Sequence, residues 1–195
     1  MTYNNEVNSS TVSNWLESFN NCSNNIFIPF QNNEIDITQQ TFQTLNSNNP
    51  DFLNIYFGLD DNSNPKLIIV GSVFINGNTE VEENGFSDIL STGMIYELYT
   101  NQSITKVLAQ QYISNWKLAN ASSSLFKKSI LTPISNYNNL FNNLQADPVR
   151  IFLGMDKVCE LIVMQKDPNA GDGAIVLNTS FPCPSACSIF GTLSL

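Results

Sequence analysis

Short apolar strings recur in the same order in the two halves of this chain, so its fold has to accommodate one design twice. VSNW (Val12 to Trp15) returns as ISNW (Ile113 to Trp116), and NIFIPF around Pro29 has a looser echo in SILTPI around Pro133. FQTL (Phe42 to Leu45) matches FNNL (Phe141 to Leu144), IYFGLD (Ile55 to Asp60) matches IFLGMD (Ile151 to Asp156), and KLIIV (Lys66 to Val70) matches ELIVM (Glu160 to Met164). A single tetrapeptide recurs by accident, but an ordered set points to internal duplication.

Each copy predicts the same elements. Val12, Trp15, Leu16 and Phe19 recur at helical spacing, as do Ile104, Val107, Leu108, Tyr112, Trp116 and Ala119, with Ser103 as the expected N-cap of the second helix. A shorter helix follows in each copy. Asp36 and Gln39 have capping-box spacing before Phe42 and Leu45, and Tyr137, Leu140, Phe141 and Leu144 repeat the stripe. FLNIYFGLD and KLIIVGSVFI are rich in β-branched and aromatic residues and are divided by the turn chemistry of DDNSNP, which predicts a hairpin. Residues 93–99 and 173–179 predict a third strand in each copy, and Gly77 a hairpin turn. The expected fold is therefore α+β, two tandem helix-helix-hairpin modules with antiparallel sheets in a pseudo-twofold arrangement. The modules span 1–99 and 103–182, with 183–195 as a tail. The join, TNQS, is short and not Gly- or Pro-rich, so the copies should pack against each other.

At 195 residues and 42% hydrophobic content the chain can build a real core. Seventeen acidic against eight basic residues give a formal charge of −9, which repels phosphate backbones and argues against a nucleic-acid partner. The amino terminus has neither a basic nor an apolar leader segment, and no later stretch is long and apolar enough for a bilayer, so the expectation is a cytoplasmic protein with no membrane partner. Four cysteines, Cys22, Cys159, Cys183 and Cys187, are too few for a disulfide scaffold and are expected as thiols.

A Trp-bearing helix, an I-x-x-G-x-D strand, a KLIIVG-like strand and a closing C-P-x-x-C resemble a group of small uncharacterised bacterial proteins. Trp116, Gly154, Asp156, Cys183, Pro184 and Cys187 carry the pattern in the second copy, and Trp15, Gly58, Asp60, Leu67 and Gly71 in the first, which has no Cys-Pro tail. The resemblance implies a common module and no catalytic residues.

Asp60 and Asp156 occupy matching strand ends, where paired carboxylates could share a proton or hold a cation, although an Asp after Gly at a strand end ordinarily bonds its own turn. DDNSNP imitates the start of a calcium loop but puts Pro65 where that loop needs Gly. Cys183 and Cys187 could chelate zinc or form a strained, reducible disulfide, yet there is no histidine to complete a zinc site; the alternative is two thiols packed as small apolar groups. Arg150, the sole arginine, reads either as an anion clamp or as a strand-edge charge. Lack of histidine removes the usual general base, and no phosphate-cradling Gly motif is present. The expectation is a non-catalytic structural or protein-interaction component with no cofactor, whose partner is another protein or a second copy. The alternative is a small-ligand binder with its site between the copies, and the third option an enzyme using carboxylate or Cys chemistry.

Overall fold

The computed structural model describes residues 6–23, 25–31, 35–75, 85–156, 161–169, 176–178 and 181–183. In chain order the elements are β1 (Glu6–Val7), α1 (Ser9–Asn21), β2 (Ile35–Ile37), α2 (Gln39–Asn46), β3 (Phe52–Leu59), β4 (Pro65–Ile75), β5 (Gly85–Asp88), β6 (Ile95–Glu97) and β7 (Gln102–Ser103). Then follow α3 (Lys106–Asn120), β8 (Ser129–Pro133), α4 (Ile134–Asn138) running into a π-helical turn (Asn139–Asn143), β9 (Val149–Met155), β10 (Leu161–Lys166), β11 (Val176–Asn178) and β12 (Phe181–Cys183). The chain is mixed α and β, and its strand pairs are antiparallel. The expected helices and hairpin strands are present. Gly77 lies outside the described residues.

The halves are interleaved. One sheet has the order β1-β11-β10-β9-β2 and the other β12-β8-β3-β4-β6-β7, with β5 on β4, so each takes strands from both halves. In the first sheet a hairpin and third strand from the second half (β9, β10, β11) are flanked by β1 and β2 of the first half. In the second, β3, β4 and β6 are flanked by β8 and β7 of the second half. The helices cross over as well: α1 packs on β9 and α3 on β3.

Alternation explains the layers. Leu53, Ile55 and Phe57 of β3, Leu67 and Ile69 of β4, Val149, Ile151 and Leu153 of β9, and Val163 of β10 join one buried cluster with Phe42 of α2 and Tyr137 and Phe141 of the α4 segment. The opposite face of the second sheet is covered by α3, whose Ala109 and Ile113 meet Tyr56, Ile68, Val70 and Ile95. Two glycines set how closely a helix can lie on each sheet. A Cβ on Gly58 would fall 2.9 Å from Tyr112 Cβ and 2.8 Å from Ile68 Cδ1; one on Gly154 would fall 3.0 Å from Trp15 Cβ and 2.8 Å from Met164 Cε.

Pairing also corrects the correspondence between halves. Gly58 pairs with Lys66 and Gly154 with Ile162, so Lys66 matches Ile162 and the ELIVM alignment is displaced by two residues. An even shift keeps the same face inward, which is why the strand pattern hid the error. Trp15 and Trp116, expected to be equivalent, lie in unlike surroundings. Trp116 is 2% exposed, with ring centroids 5.6 Å from Phe27 and Phe30 and 5.7 Å from Phe57, and its Nε1 donates to the Lys127 carbonyl at 2.9 Å. Trp15 is half-buried over Gly154, the place Tyr112 takes over Gly58. Phe19 is the fully buried residue of α1.

Capping differs from the sequence reading for a geometric reason. Thr38 and Thr105 have the extended backbone of an N-cap and accept from Thr41 and Leu108 N–H at 3.2 Å each. Ser103 is instead in β7, and Asp36 in β2 bonds Arg150. Val107, assigned to the buried stripe, is 74% exposed, because the face of α3 that meets the sheet runs through Ala109, Ile113 and Trp116.

Hydrogen bonds hold the join. Asn101, at φ 51, donates from Nδ2 to the Asp36 carbonyl at 2.7 Å, and its Oδ1 accepts from Thr41 Oγ1 at 3.2 Å. Cys22 departs from the thiol expectation. It caps the C-terminal end of α1, packs against the main core and is disulfide-bonded.

Candidate functional site

Asp60 begins the β3–β4 turn and organises it. Its Oδ1 accepts from the N–H groups of Asn62 (2.9 Å) and Asn64 (2.8 Å), its Oδ2 accepts from Asn64 Nδ2 (2.9 Å), and Lys66 Nζ stands at 3.9 Å. The Asn64 side chain, then its backbone N–H, hold the carboxyl below its ordinary value. Asp61 faces α3: its Oδ1 accepts from Gln111 Nε2 at 2.8 Å and Asn115 Nδ2 at 3.2 Å, while the same Asn115 nitrogen reaches the Leu59 carbonyl at 3.1 Å.

These bonds pin a turn of the first half onto a helix of the second, and an open groove of about 440 Å³ lies between them. Leu59, Asp60 and Asp61 form one wall and Asn115, Leu118 and Ala119 the other. Leu118 is 82% exposed, so an apolar side chain and two carboxylates share one solvent-facing rim.

The other predicted residues are dispersed. Asp156 follows β9 in the opposite sheet from Asp60, half-buried. Arg150 lies inside a sheet, on β9 between β10 and β2, and its Nε and Nη2 each donate to an oxygen of Asp36 at 2.8 Å, a forked bond that clamps β2 to β9. A strand-edge role therefore does not apply to Arg150. The backbone of Cys183 belongs to β12; its side chain and all of Cys187 lie outside the described residues. Among the described residues no three His, Cys, Asp or Glu side chains gather as a metal site, and no helix is long and apolar enough to cross a membrane.

A buried constellation was missed by the sequence reading. Asp88 on β5, 7% exposed, accepts from Tyr56 OH (2.5 Å), Ser72 Oγ (2.6 Å) and Asn54 Nδ2 (3.2 Å), all buried. Asp88 stands directly opposite Ser72 in the β4–β5 pair, and Asn54 and Tyr56 share its face. Its sequence signal is faint: a lone Asp ending a four-residue strand, with donors contributed by two strands far from it in sequence. Three neutral donors on one carboxylate tie three strands together.

No protein-family model, curated protein or solved structure matches the chain.

Proposed function

We propose that this protein is a non-catalytic interaction component, built from one α+β module used twice around a pseudo-twofold axis, and that it meets a protein partner through the groove at the end of α3. The observation that carries the reading is Leu118, 82% exposed on the rim of a groove whose walls come from the two halves. An exposed Leu alone is ordinary; one beside a concave surface with two carboxyl groups is a contact in search of an occupant. The duplication is supported by the matching strand order of the two sheets and by the paired glycines under α1 and α3. The resemblance to small bacterial proteins with the same strings is consistent with a shared module of this kind.

The test is in-cell photocrosslinking from position 119. A defined adduct is expected, and it should disappear when Leu118→Asp is added while the melting temperature stays within a degree or two, since the side chain is in solvent. No adduct, or one indifferent to Leu118→Asp, sinks the reading.

The groove's volume and its position between the halves also favour a second reading, a small-ligand site. A thermal-shift screen decides between them, because a ligand at about one hundred times its Kd adds roughly 2.7 kcal/mol to stability.

A further inference from the structure

We propose that residues 6–46 are an exchangeable segment. Two copies of the chain would form a closed dimer by each supplying this segment to the other, with residues 47–51 as the hinge. This inference is independent of the groove.

Phe27 and Phe30 of the segment touch Phe57 of its own half, but both of its strands pair with the second half. β1 pairs only with β11 and β2 only with β9 among the described residues, both strands of the second half. α1 lies on β9. The Asp36 carboxylate is held by Arg150, the Gln39 N–H by Asp147 Oδ1 at 3.0 Å, and the Phe42 ring by Phe141, stacked at 4.5 Å. Cys22 is disulfide-bonded, and it is the one cysteine in the sequence of residues 6–46.

The covalent path from the segment to its own half is a five-residue connection from α2 to β3, with Asn49 at φ 49. Only that connection must change course for the same pairings to form between two chains, because the surfaces joined are identical in both arrangements. The molecule already performs this exchange internally: β7, α3 and β8 of the second half lie on β6 and β3 of the first, as β1, α1 and β2 lie on β11 and β9. At low concentration the tether favours the closed monomer, since the intramolecular partner is present at millimolar effective concentration. Raising protein concentration during folding, or shortening the hinge, removes that advantage.

The disulfide supplies the readout. The chain is refolded at high concentration from an equal mixture of ordinary and ¹⁵N-labelled protein, in a glutathione buffer whose oxidised form accepts the two electrons released as the two thiols join. The dimer fraction is then isolated and its Cys22 cross-linked peptides weighed. In an exchanged dimer every Cys22 bond is interchain, so about half of these peptides should be isotopically mixed. The same fraction should run as a dimer on a non-reducing gel and as a monomer after reduction, and Cys22→Ser should keep the dimer by light scattering while losing its covalent form. Deleting Asn48 and Asn49 should make the dimer the main species. A dimer containing only same-isotope Cys22 peptides, absence of any dimer across the concentration range, or a hinge-shortened chain that folds as a monomer would each overturn the proposal.

Discussion

Gly58 and Gly154 show how much a single hydrogen in place of a methyl group decides. Each lies under a helix, and each is indispensable to the extent that its neighbours cannot move. At Gly58 a new Cβ falls 2.8 Å from Ile68 Cδ1 and 2.9 Å from Tyr112 Cβ, which is fixed to the α3 backbone; at Gly154 it falls 2.8 Å from Met164 Cε and 3.0 Å from Trp15 Cβ, fixed likewise to α1. Gly58→Ala and Gly154→Ala are therefore each expected to cost roughly 1–3 kcal/mol, measured by urea unfolding of both variants, and a variant as stable as the parent would contradict the packing described. Tyr137 makes a prediction about pH. Burial raises its phenol well above the ordinary range, while the hydrogen bond with Thr132 works weakly the other way. The folded chain thus keeps a proton that the unfolded chain releases near pH 10, so this residue's contribution is complete below about pH 10 and is lost as pH rises beyond it. Phenolate absorbance from Tyr137 should appear together with alkaline unfolding, and Tyr137→Phe should flatten that limb of the stability profile.

At the level of elements, helix positions are governed by caps and by the face a sheet offers. Thr105, not Ser103, starts α3, so Thr105→Ala should lower stability by about 1 kcal/mol and Ser103→Ala should have little effect in thermal or chemical melts. The helices and the β3–β4 hairpin were legible from apolar periodicity, because that signal is local. Strands β1, β2, β5, β7, β8 and β12 were not, being two to five residues long and specified by their partners. Of the candidate site, Asp60 was legible as a turn residue. Leu118 and Asn115 were not, since they meet the turn only after α3 crosses to β3.

For the whole molecule, interleaving predicts that neither half is an autonomous folding unit. Chains 1–99 and 103–195 expressed separately should be poorly structured by circular dichroism and should gain cooperative unfolding when mixed, because each sheet lacks its flanking strands until the other half arrives. A half that folds alone would refute this. Reducing the Cys22 disulfide should lower stability by about 2–4 kcal/mol in a denaturant titration, since a cross-link restricts the unfolded chain. What the amino-acid order alone determined was the inventory of helices and hairpin strands and the existence of matching strings in the two halves; these depend on spacing within a few residues. Which half each helix covers, which residue stands over each glycine, what Arg150 clamps and that Cys22 is bonded were decided only in three dimensions. An apolar stripe records that it must be buried and carries no record of which of two similar sheets will bury it.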